Sequence, residues 1–339
     1  MPERETSRVR AGGPPTGIAM SRPSIRTLSM ALIVIAVVAL AAHFFGYMRY
    51  AIATICYPFE AIDAEGIVWQ QAMLIPGPRM YGDIDSYPFI VFHYPPLFHL
   101  AVRGLSLLGV SPLLAGRAIS VAATLATAAT IAMLTWRLVG ADAGRFARLA
   151  SSLVSGLAFF CFYAVVATSP LMRVDMLAVA LSFMGLFLFA TSSIQSRRLF
   201  AGMACFVLAV YTKQTSIAAP VAAIVVLGMV APRRAFALAG VGLVLGLVPL
   251  CLLTWMTNGG FLRHLVLYNI NRYDLGQVWR QLAGEAIHLG FAVMALTAIV
   301  IWWRRFSTGV RGAGMAAWRD ALAADAGKRA MVMITLHLG

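Results

Sequence analysis

The chain has 339 residues, of which 60% are hydrophobic and only 12% charged. Soluble globular domains carry roughly 25% charged residues. With a mean hydropathy of +0.82, a water-soluble core of this size is excluded and the bilayer becomes the main solvent. The net charge of +14 does not point to nucleic acid. The basic residues stand in short clusters between apolar runs, the pattern that orients membrane spans rather than the pattern of a basic groove. No nucleic-acid partner is expected. Three of the four cysteines (Cys56, Cys161, Cys205 and Cys251) lie inside apolar runs as small hydrophobes. Their spacing is neither that of a metal site nor that of a disulfide framework.

Residues 1–26 are polar, with Pro14, Pro15 and five arginines. They read as a disordered basic leader on the cytoplasmic side. The first span is expected at Leu28–Tyr47, long enough to stay in the membrane rather than be cleaved. From Arg49 to about Pro95 the chain turns acidic, with Glu60, Asp63, Glu65, Asp83 and Asp85, and is placed outside. Pro96–Val110 is apolar but, at about 15 residues, short for a span. It is expected to lie in the outer interface with Arg103 snorkelling. Further spans are expected at Arg117–Trp136, Leu149–Thr168, Val174–Ser192, Leu199–Thr212, Thr215–Val230, Phe236–Trp255 and Ala286–Trp303. This arrangement puts most of the 27 basic residues on the inner side, as the positive-inside bias requires. Leu199–Val230 amounts to ~48 Å of helix at 1.5 Å per residue. That is long for one span and short for two, so two short helices meeting near Lys213-Gln214 are predicted. Lys328–Gly339 reads as the start of a truncated ninth span.

The expected fold class is therefore all-α. It is a polytopic transmembrane helical bundle of about eight spans plus the truncated ninth, and its extracytoplasmic first loop carries interfacial helices. Its divisions are the leader 1–26, a transmembrane domain 27–303 with the first outer loop at 49–116, and a cytoplasmic segment 304–339. The expected location is the bacterial inner membrane, with the active face periplasmic.

Four constellations can carry chemistry. Asp63-Ala64-Glu65 opens a helical stretch. Residues i and i+2 diverge by about 200° on a helix, so one carboxylate acts and the other supports, unless both are simply solvated loop acids. Tyr81-Gly82-Asp83-Ile84-Asp85 leads to His93-Tyr94-Pro95-Pro96-Leu97, where paired prolines fix the entry angle of the next helix. This is either an ordered loop with anchoring aromatics or, from Asp83, Asp85 and His93, a metal site. Arg173-Val174-Asp175 puts a charged pair at a span edge, a functional position by default, against the plainer reading of a self-neutralising salt bridge. In Thr212-Lys213-Gln214-Thr215, Thr215 is expected to cap an inward helix whose N-terminus, with Lys213, forms an anion site; the plainer reading is a snorkelling lysine. The charge-derived topology puts all four on one side of the membrane.

In this order, Asp63-x-Glu65, Tyr81-x-Asp83, Tyr94-Pro95-Pro96-Leu97, Gly116-Arg117, Arg173-x-Asp175 and Thr212-Lys213-Gln214 resemble the GT-C superfamily of polytopic glycosyltransferases. Within it, the likeness is to the protein mannosyltransferase and aminoarabinose transferase branch with its bacterial family-39-like members. The match covers roughly residues 55–230. The resemblance implies transfer of a sugar from a polyprenyl-phosphate donor to an acceptor hydroxyl (glycan, lipid or protein) with inversion, on the outer face among membrane lipid. It assigns the general base to Asp63, with Glu65 as second choice. Lys213 and Arg173 would hold the donor phosphate. Asp175 would orient Arg173, with His93, Tyr94 and Asp83 in support. The attacking hydroxyl needs a base and the departing phosphate needs cations, so no cofactor is required; the outer acids can bind Mg²⁺ or Mn²⁺ weakly. The competing readings are a polar-lipid transporter or flippase, and an inactive truncated homologue.

Overall fold

The computed structural model describes residues 25–140, 144–270, 274–284 and parts of 319–334. The leader to residue 24, the expected span Ala286–Trp303, and Arg304, Arg305 and Arg311 lie outside the described residues. Those described are helical, without a strand among them. Three helices are long and apolar enough to cross a membrane: Met30–Cys56, Pro112–Leu138 and Pro232–Met256.

The first helix, α1 (Ile25–Cys56), outruns the expected span. Arg49 to Cys56 continues it instead of opening the loop. The sequence holds no Gly or Pro between Met48 and Tyr57, and Pro58 disfavours helix in the residue before it. Inward-facing Tyr47 and Ala51 also pack on Val121, Phe160 and Val165. The loop after α1 leads into α2 (Asp63–Leu74) and α3 (Leu97–Leu107). The 11 residues of α3 make ~16 Å of helix, well under the ~30 Å hydrocarbon core.

Helix α4 (Pro112–Leu138) starts with Ser111 accepting from the Leu114 N–H and Pro112 in the first turn. It is the central element: 44% of its most apolar window is buried, against 6% for α1. The expected span Leu149–Thr168 is broken. Helix α5 (Gly144–Ala158) ends at a 3-10 turn, Phe159–Cys161, and α6 (Tyr163–Thr168) follows. Carbonyls freed at such a break need partners where water is scarce, and the His43 ring nitrogen binds Phe160 O at 2.9 Å.

Helices α7 (Asp175–Thr191) and α8 (Arg198–Thr212) form an antiparallel pair. Gly185 and Gly202 allow it: a methyl on Gly185 would strike the Phe206 ring, and one on Gly202 the Phe189 ring. Small residues at such crossings let apolar helices close on one another in lipid. Leu199–Val230 divides where its length demands. Helix α8 stops at Thr212, Lys213 is extended, Gln214–Ile217 is a 3-10 turn, and α9 (Ala218–Val230) follows. Thr215 does not cap α9, whose N-cap position is Ile217 with no side-chain bond. The 3-10 turn takes up the residues that capping would have needed.

Helix α10 (Pro232–Met256) contains Pro249, which cannot donate to the preceding turn. The Tyr211 hydroxyl donates to Gly246 O beside it, at 2.5 Å. The chain then forms α11 (Gly260–Leu265) and α12 (Leu275–Gly284). Near the chain's end, Arg329 donates to Ala190 O and Ser192 O at 3.3 and 3.2 Å. This places a cation on the negative end of α7. Ala330 and Met333 join the cores at that end.

Candidate functional site

The end of α1, the starts of α4 and α7, the end of α8 and the end of α10 meet at one end of the bundle, under α2, α3 and α11. Two charge clusters form there. In the first, Arg117 and Glu65 both have 0% side-chain exposure. Arg117 donates through Nε and Nη2 to the two Glu65 oxygens, each at 2.8 Å. Its remaining hydrogens go to Thr54 O and Tyr57 O at 2.6 Å and Phe59 O at 2.8 Å. All five guanidinium donors are used. Glu65 also accepts from the Met172 N–H at 2.7 Å and the Ala61 N–H at 2.8 Å. Burial alone raises the Glu65 pKa, but the Arg117 hydrogen bonds and the two backbone donors outweigh it and hold the carboxyl below its ordinary value. Gly116 next door is required, because a methyl there would overlap the Met172 side chain.

Glu65 is thereby removed as a candidate base: four hydrogen bonds occupy its two oxygens. Asp63 differs. It is the first residue of α2, exposed, and no described residue bonds its carboxylate. The two acids point apart as the helical period demands. The Glu65 knot fixes the helix start, and with it the backbone of Asp63.

The second cluster is open. Arg173 Nε lies 2.8 Å from Asp175 Oδ2, and Lys213 Nζ lies 2.5 Å from Oδ1. The three side chains keep 32%, 30% and 23% exposure, in the order Arg173, Lys213, Asp175. Two cations on one carboxylate leave one surplus positive charge in a partly exposed cluster. Asp175 thus orients both Arg173 and Lys213. Lys213 stands at the N-cap position of the 3-10 turn Gln214–Ile217 that leads into α9, rather than at the start of α9 itself.

A cavity of about 90 Å³ adjoins this cluster, lined by Ala64, Gln71, His93, Tyr94, Arg173 and Asp175 among others. The structure brings His93, Tyr94, Arg173 and Asp175 together there, with Ala64 carrying the start of α2 to its edge. It does not bring Asp83. That residue is exposed in a turn, accepting from the Asp85 N–H and, through its carbonyl, from the Ser86 hydroxyl. Asp83, Asp85 and His93 are not gathered, and no three described His, Cys, Asp or Glu residues stand close enough to share a metal ion.

The loop holding His93 is strapped by Tyr81 and by His264 and Asn269 of the chain after α10, whose roles the sequence leaves unassigned. The His264 Nδ1 accepts from the Phe92 N–H at 3.0 Å, and its Nε2 binds Gly82 O at 2.6 Å. Burial lowers the His264 pKa, which keeps this bifunctional tautomer neutral. The Tyr81 hydroxyl donates to Tyr94 O at 2.8 Å. Gly260 has no room for a side chain, since a methyl would meet Tyr81 O. Asn269 Oδ1 lies 2.9 Å from His93 Nδ1. Beneath, buried Gln71 donates to Val91 O at 2.7 Å and binds His99 Nε2 at 3.0 Å. Burial pushes the His99 pKa down to about 4, so it stays neutral.

Beside the cavity, α8, α9 and α10 enclose a groove of about 600 Å³ among the described residues. Phe206, Ile224, Leu247 and Leu250 line its length, with Gln214 and Pro95 at one end. Gln214 Nε2 also donates to His93 O at 2.9 Å, so the groove and the cavity beside the charge cluster share a wall. No protein-family model, curated protein or solved structure matches the chain.

Proposed function

We propose that this chain is a membrane glycosyltransferase that moves a sugar from a polyprenyl-phosphate donor to an acceptor hydroxyl. The observation that carries this is the adjacency of the Arg173–Asp175–Lys213 cluster with its cavity and a long apolar groove, across Gln214 and His93. A phosphate on an isoprenoid chain needs both: cations for its head and an apolar channel for its tail. The exposed Asp63 carboxylate, one residue from the cavity wall, supplies the base.

In this chemistry the acceptor oxygen attacks the anomeric carbon from the face opposite the phosphate. The bond from that carbon to the phosphate oxygen breaks, and the configuration inverts. The acceptor's proton passes to Asp63. The electron pair leaves on the phosphate, whose growing charge Arg173 and Lys213 stabilise. No general acid is needed, because the leaving group is already an anion. In the membrane, α1, α4, the α5–α6 pair, α7, α8, α9 and α10 would make seven crossings. The arginine-rich end would face the cytoplasm of a bacterial inner membrane, and the charge clusters the periplasm.

The test is sugar transfer from a radiolabelled polyprenyl-phosphate sugar pool, in membranes carrying wild type or Asp63→Asn at equal levels. Transfer by the wild type, reduced by about 10²-fold or more in the variant, is expected. Full activity in the variant removes Asp63 as the base. A polar-lipid transporter is the second reading, favoured by the two interrupted helices at 159–162 and 213–217, a habit of transporters. The first interruption lies outside the charged site, its Phe160 carbonyl bound by His43. Lipid translocation without sugar transfer would favour that second reading.

A further inference from the structure

Asn269 fixes its own amide orientation. Its Nδ2 donates to His264 O at 3.1 Å and to His93 O and Leu265 O at 3.2 Å, so the carbonyl oxygen is the atom left to face the His93 ring. Because that oxygen only accepts, His93 Nδ1 must carry the proton at their 2.9 Å contact. In the neutral ring Nε2 is then a bare acceptor, and among the described residues it has no partner.

Most of the cavity's other polar side chains are already engaged. Arg173 offers donors only, and both Asp175 oxygens are bound to cations. Gln71 is used at both ends by Val91 O and His99. The lining side chains with acceptor capacity left are the second lone pairs of the Asp175 oxygens, the Tyr94 hydroxyl and His93 Nε2, and of these only His93 Nε2 is without a bond and without a hydrogen of its own among the described residues. A phosphate has no hydroxyl that needs an acceptor in this cavity, whereas a sugar ring presents several. Within the glycosyl-transfer reading, on which this rests, we propose that His93 Nε2 receives one ring hydroxyl of the donor sugar and so sets which sugar is used. Asn269 is its positioning residue, holding the ring in the required tautomer. A site that binds a hydroxyl in this way strongly rejects the analogue lacking it, because its own acceptor is then left unpaired.

Two measurements test this. The first is ¹⁵N NMR of histidine-labelled protein in lipid nanodiscs, with His93 assigned by its loss in His93→Gln. At a pH where the ring is neutral, the wild type should show the proton on Nδ1, and Asn269→Leu should move a measurable fraction to Nε2. A proton on Nε2 in the wild type overturns the proposal. The second is transfer from synthetic polyprenyl-phosphate hexoses and their monodeoxy analogues. The wild type should reject one deoxy analogue by about 100-fold or more. His93→Phe should reduce that preference to within about threefold, mainly by slowing the parent sugar, while His93→Gln, which keeps an acceptor, retains most of it. If His93→Phe keeps the full preference, or slows every analogue equally, this proposal alone is overturned. If the wild type transfers no sugar in the panel, the glycosyl-transfer reading fails and this proposal with it.

Discussion

The Glu65–Arg117 pair and the Arg173–Asp175–Lys213 cluster sit at the same end of one bundle and are built from the same kinds of side chain. Their surroundings give them opposite tasks. In the first, every donor of Arg117 and both oxygens of Glu65 are matched inside the protein, and both side chains have 0% exposure. Such a pair ties α1, α2, α4 and the turn before α7 to one another and has nothing left to offer a ligand. In the second, two cations share one acid and all three remain partly exposed. Charge left over at a protein surface is what a ligand can use. The rule that follows is to count donors against acceptors before naming a charged residue functional.

The comparison breaks most visibly at Arg117. Arg117→Leu leaves a buried carboxylate without its partner and should cost about 3–5 kcal/mol, read as a large drop in the thermal unfolding midpoint or as lost expression. A midpoint within a degree of wild type would mean the knot is not buried as described. Next in size are the variants that spare the knot. Lys213→Ala and Arg173→Ala should lower transfer by roughly 10–10³-fold each, with unfolding midpoints near wild type, because exposed pairs contribute little to stability. A loss of activity that tracks loss of folded protein would contradict this division.

A smaller effect separates the clusters by pH. The pKa of Glu65 is depressed in the folded state, so its stabilisation is complete above its ordinary value near 4.5. It is lost as pH falls through the lower, folded value. Acid unfolding of the wild type should therefore steepen below that ordinary value. Glu65→Gln, if it folds, should start less stable and lose this part of the acid dependence. The smallest change is expected from Thr215→Ala, which removes a hydroxyl that caps nothing and should leave stability within about 0.5 kcal/mol. A larger loss would restore the capping role.

The sequence carried the apolar runs of α4, α7, α8 and α10 to within a few residues, because apolar composition accumulates over several turns of helix. The same averaging hid the break at Phe159–Cys161, a stretch as apolar as its neighbours whose freed carbonyl is answered from residue 43. It also hid the continuation of α1 past Arg49, which depends on packing against residues 121 and 160. At the site, Asp63, Arg173, Asp175, Lys213, His93 and Tyr94 were legible as charged or aromatic punctuation between apolar runs. The anchoring of Glu65 was not, since nothing local tells a carboxylate that it will meet an arginine 52 positions on. Asn269 and His264 stand out in sequence as polar residues of the loop after α10, but with no role that can be assigned to them. Their partners lie more than 170 residues away, and an asparagine or histidine in a polar loop has no pattern of its own.

The most direct test of the division between the clusters is binding of radiolabelled polyprenyl phosphate to the protein in nanodiscs, comparing wild type with the Arg173→Ala, Lys213→Ala double variant. Saturable binding by the wild type is expected, weakened about tenfold or more in the double variant, with unchanged unfolding midpoints. Equal binding by the two folded proteins would place the lipid phosphate elsewhere and contradict the assignment of the open cluster as its site.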